Sequence, residues 1–167
     1  KRGTKRQPLQ ISLVGIGMGN GKLLTGEARE AIEQAKAVCG AKRLLAATDT
    51  LIATDAEKRE AYLPADLLPY IYSCGERKIG RIAILFSGDT GFYSAAEKLG
   101  AVLERRGNYT VEVIPGISSV GYFFAKIRRP WDHAKLFSMH GQAANFALEL
   151  KRSGSAFILG GGADFYE

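Results

Sequence analysis

The chain has 167 residues, 46% hydrophobic and 24% charged, ordinary globular proportions that exclude a disordered tail protein and suit one domain or two small lobes. Its apolar runs stop far short of the ~18 residues of a membrane span, and Cys39 and Cys74 have neither CxxC spacing nor a nearby His pair, so no disulfide framework and no metal site is expected. The formal charge of +6 suggests an anionic partner, yet Lys1, Arg2, Lys5 and Arg6 supply four of the 23 basic residues and the other 19 face 17 acidic ones. The excess reads as an N-terminal extension, residues 1–9, without the interleaved aromatics of a nucleic-acid arm. A charged start without a signal peptide completes the expectation of a cytoplasmic protein with no membrane or nucleic-acid partner.

From residue 10 short apolar strands alternate with amphipathic helices. Residues 10–14 (QISLV) read as a strand, followed by a Gly-rich stretch over 15–21. Thr25 is placed to cap a helix over about 26–36, with Glu27 in its first turn. A short strand is expected to end at Val38-Cys39, then a helix after Gly40. Residues 41–80 also hold an irregular middle and a helix from about Pro64, in conflict with Pro69. The run RIAILFS (81–87) reads as a strand buried on both faces. A helix over about 92–106, a strand over 109–114, a helix over 119–127, a strand over 136–139, a helix over 143–152 and a last strand over 156–160 complete the pattern. Such alternation predicts an α/β fold with mostly parallel strands.

Three of the strand-to-helix loops carry chemistry. VGIGMGNG (14–21) fails as a dinucleotide fingerprint: the third glycine of G-x-G-x-x-G is Asn20 from one start and Lys22 from the other. No acidic residue ends the second strand to hold a ribose either. Gly15, Gly17 and Gly19 nonetheless let a ligand approach the backbone. In SGDTGFYS (87–94), Asp89 arrives at the carboxyl edge of the sheet, where it either accepts from a ligand's hydroxyl or amino groups or caps a helix starting near Phe92. In IPGISS (114–119), Ser118 and Ser119 stand at a helix start, suited to an anionic group or to capping. His140, in SMHG, also follows an expected strand. No Ser-His-Asp order, HExxH, Walker motif or carboxylate pair supports hydrolysis or phosphoryl transfer.

Taken together, VGIGMG (14–19), LTGEA (24–28), SGDTGFYS (87–94) and VIPGISSV (113–120) resemble, in order and spacing, the tetrapyrrole methylase family. These are S-adenosylmethionine-dependent enzymes that methylate corrin and porphyrin precursors. GAKRLL (40–45), PW-D-A and S-x-HG (130–141) are most similar to the branch that methylates carbon 5 of a precorrin or cobalt-precorrin in cobalamin biosynthesis. The resemblance implies two α/β lobes, residues 10–115 and 116–167, with the cofactor in a cleft between them and the second lobe incomplete. It places S-adenosylmethionine contacts at Met18, Asp89, Phe92, Ser118 and Ser119, with Gly17, Tyr93 and His140 as weaker candidates for the substrate. A homodimer is implied, and association or fusion with a partner that methylates carbon 15 and decarboxylates. Two positions depart from the family pattern: Met18 and Thr90 stand where it has proline, which puts the stiffness of both loops in doubt. Lys42, Arg43, Lys126, Arg128 and Arg129 are candidates to meet the ring's carboxylates. Other substrates of the same fold (uroporphyrinogen, diphthine, ribosomal RNA) and a non-catalytic ligand-binding role are the alternatives.

Overall fold

In the computed structural model, which describes residues 8–106, 109–138, 151–152 and 155–160, the strand β1 (Leu9–Gly15) lies between β4 (Arg81–Phe86) and β5 (Tyr109–Ile114). With β2 (Ala37–Gly40) and β3 (Glu57–Glu60) they form a five-stranded sheet in the order β3-β2-β4-β1-β5. All its ladders are parallel, with Leu13 opposite Ile84 on one side and Val113 on the other. The sheet belongs to the first of two compact units, Lys1–Ser119 and Val120–Glu167.

Strand periodicity divides its side chains between two cores. Ile11, Leu13, Cys39, Ile82 and Ile84 pack with α3 (Pro64–Glu76) and α4 (Ala96–Arg105). Val14, Val38, Ala83 and Leu85 pack with α1 (Gly26–Gln34) and α2 (Lys42–Ala47). Right-handed crossovers account for this split: α1 carries the chain from β1 toward β2, whereas α3 and α4 carry it back the other way and so cover the opposite face. Burial on both faces is why β4 reads as an unbroken apolar run. Each buried Ile or Leu contributes on the order of 2 kcal/mol. In α3, Leu67, Ile71 and Cys74 are buried, and in α4, Ala96, Leu99, Gly100 and Leu103; both sets follow the i, i+3, i+4, i+7 stripe.

Local signals explain the ends of several elements. Thr25 Oγ1 accepts the Ala28 amide at 3.1 Å, the cap expected for α1. The helix α3 continues through Pro69, because that residue and Ala65, whose carbonyl it leaves without a donor, are both on the exposed side. The helix expected from residue 92 begins instead at Ala96, after a loop of local turns, and Ser94 Oγ accepts the Ala96 amide at 3.2 Å. The strand β3 escapes sequence reading because all four of its side chains (EKRE) are exposed. It is held by its ladder to β2 and by polar ties: Lys58 to Asp49, and Glu57 to both the Tyr70 hydroxyl (2.7 Å) and the Arg77 guanidinium. Charged side chains also protect an edge strand from further pairing.

In the second unit, α5 (Ser119–Lys126) is followed by β6 (Lys135–Ser138) and β7 (Ala156–Leu159), which pair in parallel from Lys135–Ala156 to Ser138–Leu159. Phe123 and Phe124 pack on Phe157 with ring centroids 5.7 and 6.3 Å apart. The helix closes with Arg129 N–H to Phe124 O and Arg128 N–H to Ala125 O, a Schellman turn that puts Arg128 at φ 55°. Lys78 at φ 60° closes α3 the same way. At both ends a cation occupies the position usually given to glycine, where it also meets the negative end of the helix dipole. Of the helix expected over 143–152, Lys151 and Arg152 are helical and the rest lies outside the described residues.

Candidate functional site

The loops after β1, β4 and β5 leave the carboxyl ends of three adjacent strands, the edge at which open parallel sheets bind ligands. They meet backbone to backbone. A β-carbon on Gly15 would stand 2.6 Å from the Gly116 nitrogen and 2.9 Å from the Gly88 oxygen. One on Gly116 would stand 2.2 Å from that same oxygen. Gly17 and Gly88 then form a two-way bridge, with N–O distances of 3.0 and 2.8 Å. Both have positive φ (62° and 70°), a conformation that L side chains adopt only under strain. The three motifs are thus joined where no side chain fits.

Around this junction the expected residues take distinct places. Met18 is exposed in the turn between Gly17 and Gly19. Asp89 Oδ1 accepts the Gly91 amide at 3.0 Å, which closes a local turn; the alternative of capping α4 is excluded, since that helix begins seven residues later. No partner engages Asp89 Oδ2 among the described residues. Thr90 is buried and its hydroxyl donates to Ile114 O in a long 3.4 Å bond. Thr90 therefore ties the second loop to the end of β5. Phe92 and Tyr93 stack edge to face, centroids 5.0 Å apart, with Tyr93 at φ 48°.

Ser118 is the residue whose chemistry is least complete. Its hydroxyl oxygen is buried with no hydrogen-bond partner, the one such side-chain atom among the described residues. It precedes Ser119, the first residue of α5, yet it does not cap the helix. A buried hydroxyl left unpaired costs about 1–3 kcal/mol, which a bound acceptor or donor recovers.

The remaining candidates take their places elsewhere in the sequence order. Lys42 and Arg43 are exposed at the start of α2; Lys126, Arg128 and Arg129 are exposed in the second unit; His140 lies outside the described residues. A cavity of about 280 Å³ is lined by residues of β1, α1 and β5, among them Gln10, Ser12, Glu27, Glu30, Glu112 and Ile114. Among the described residues, no helix is long and apolar enough to cross a membrane, and no group of three His, Cys, Asp or Glu side chains is placed to hold a metal ion. The contact between loops leaves no pattern of its own in the sequence, although Gly15, Gly88 and Gly116 each belong to one of the three loop motifs.

Residues 10–163 match the family model for tetrapyrrole (corrin/porphyrin) methylases. The cobalt-precorrin-7 C(5)-methyltransferase of Salmonella typhimurium is 34% identical over 136 residues, which cover 81% of this chain and 64% of that protein; the chain thus spans less than two thirds of the relative's length. Among solved structures, the methyltransferase CobJ superposes with a TM-score of 0.68 at 20% identity, over 86% of this chain and 62% of the other. The uroporphyrin-III C-methyltransferase of Thermus thermophilus, complexed with S-adenosylhomocysteine, does so with a TM-score of 0.61 at 23% identity, over 82% and 64%. The match to the family model over residues 10–163 shows that the chain belongs to the tetrapyrrole (corrin/porphyrin) methylase family.

Proposed function

We propose that the chain is the methyl-donor-binding part of an S-adenosylmethionine-dependent methyltransferase that acts on carbon 5 of a precorrin or cobalt-precorrin ring, a cytoplasmic step of cobalamin biosynthesis. The observation that carries this reading is the unpaired Ser118 hydroxyl beside the junction of three loops. Support for the donor comes from the Thermus relative bound to S-adenosylhomocysteine, and for the acceptor from the Salmonella relative.

The residues present fit this cofactor. Gly15, Gly88 and Gly116 let the three loops close on one another backbone to backbone, which gathers their remaining residues at the carboxyl edge of the sheet. Ser118 supplies a hydroxyl that lacks a protein partner, and Ser119 stands beside it at the positive end of α5, a combination suited to a carboxylate. Asp89, with Oδ1 occupied by Gly91, keeps Oδ2 for hydroxyls or an ammonium group. Met18, Phe92 and Tyr93 supply apolar surface, and Gly17 an approach to the backbone.

Bound S-adenosylmethionine supplies an activated sulfonium methyl. The work left to the chain is to hold the donor, orient it and exclude water, which itself lowers the barrier. Alignment of the donor is the contribution assigned to this part of the protein. The test is to incubate the protein with S-adenosylmethionine and the ring substrate and weigh the product. A gain of one methyl at carbon 5 is expected. An unchanged ring, with cofactor demonstrably bound, would overturn the assignment.

A further inference from the structure

Thr90 is buried, only 6% exposed, although Gly88, Asp89 and Gly91 beside it in the loop are all partly open to solvent. Its hydroxyl carries one hydrogen and has two acceptors within reach. One is Ile114 O at 3.4 Å, and the other is Asp89 Oδ1 at 3.5 Å. Both distances exceed the roughly 2.7–2.8 Å usual for an O–H···O bond. A single hydrogen cannot complete both bonds, and the near-equal distances leave the oxygen between its two acceptors. Asp89 Oδ1 also accepts the Gly91 amide at 3.0 Å, and the Phe92 amide donates to Asp89 O at 3.3 Å. One donor lets a carboxylate rock about it, whereas a second donor on the same oxygen fixes where the other oxygen faces. Ile114 is the last residue of β5, four residues before Ser118. The Thr90 hydroxyl thus touches both the carboxylate of the candidate site and the root of the loop that carries the unpaired serine.

We propose that Thr90 is a positioning residue of the donor site: its hydroxyl turns the Asp89 carboxylate so that Oδ2 faces the ligand, and it sets that carboxylate relative to the loop of Ser118. The inference rests on the methyltransferase reading above and adds to it a residue that acts through Asp89 and touches no ligand itself. A hydroxyl that served only to fasten the loop to β5 would close on Ile114 O, yet this one stands as near to Asp89. Burial gives the arrangement its leverage, because a hydroxyl shielded from water depends on these protein acceptors.

Two substitutions separate the hydroxyl from the packing. Thr90→Val keeps the shape and removes the hydroxyl, whereas Thr90→Ser keeps the hydroxyl and removes a buried methyl. Each variant is titrated with S-adenosylhomocysteine and melted without it. Thr90→Val is expected to melt close to the parent, since the bonds it loses are long, and to bind roughly fivefold more weakly. Thr90→Ser is expected to melt lower, through the lost methyl, and to bind like the parent. Parent-like binding by Thr90→Val, or affinity that follows the melting temperature in both variants, would overturn the proposal. An Asp89→Ala background shows which acceptor matters. There Thr90→Val is expected to change affinity by less than about twofold, and a repeated fivefold loss would assign the hydroxyl to the end of β5 and overturn its role toward Asp89. The parent titration tests the underlying reading separately. A folded parent that binds no S-adenosylhomocysteine overturns the methyltransferase reading and this inference with it. A parent that binds, matched by Thr90→Val, overturns the positioning role alone.

Discussion

Gly15 and Gly116 touch so closely that a β-carbon on the first would stand 2.6 Å from the amide nitrogen of the second. The contact joins the end of β1 to the turn after β5, and the Gly88 oxygen sits against both. Since backbone cannot yield as a flexible side chain can, Gly15→Ala and Gly116→Ala are each expected to destabilise the fold by roughly 2–4 kcal/mol. Gly121→Ala is the control: a β-carbon there meets nothing within 4 Å inside α5, and a gain of about 0.5 kcal/mol is expected. Urea unfolding of the three variants checks the ordering.

Ser118→Ala should separate binding from stability. Its hydroxyl has no partner to lose, so the variant is expected to be as stable as the parent or up to about 1 kcal/mol more stable. Affinity for S-adenosylhomocysteine should meanwhile fall roughly fivefold, corresponding to one lost hydrogen bond. Thermal melts with and without ligand read both effects, and a variant that is less stable but binds equally well would assign the hydroxyl to the fold.

The edge strand β3 provides a pH prediction. Hydrogen bonds from Arg77 and then Tyr70 hold the Glu57 carboxyl below its usual value of 4.5. A lowered folded pKa means that the stabilisation is complete above about pH 4.5 and is lost as pH falls through the lower folded value. Glu57→Gln lacks the effect. Denaturant midpoints for parent and variant should therefore run apart at neutral pH and converge in acid. A constant gap across the acid range would show that the pair adds nothing specific to ionised Glu57.

Cys39 on β2 and Cys74 on α3 are buried in the same core. Burial, and then the neighbouring Cys74, pushes Cys39 up to about 12, and burial raises Cys74 as well. Neither is expected to react with a disulfide reagent at mild pH in the folded protein, and both should react once it is unfolded. Rapid modification of the native chain would mean that β2 or α3 opens readily.

How far sequence alone leads depends on what each residue faces. Strand β4 and the Thr25 cap of α1 were legible because double-sided burial and capping leave strong local marks. The strand β3 was not, since its position depends on a ladder with β2 and on Arg77 and Tyr70, both distant in sequence. The helix α4 starts at Ala96 and not near Phe92, because Asp89 and Ser94 form local turns ahead of it. The three site motifs were individually visible as glycine-bearing loops after strands. Their junction was not, because a contact made by the absence of side chains has no residue pattern of its own, and the unpaired state of Ser118 is a property of its surroundings.

Calorimetric titration of S-adenosylhomocysteine into the parent protein and into Gly116→Ala, at a temperature where both remain folded, tests the central claim most directly. The account predicts one binding event per chain in the parent and its loss, or a steep weakening, in the variant whose loops can no longer meet. A folded parent that binds none, or a folded variant that binds equally well, would contradict the assignment of the three-loop junction as the methyl-donor site.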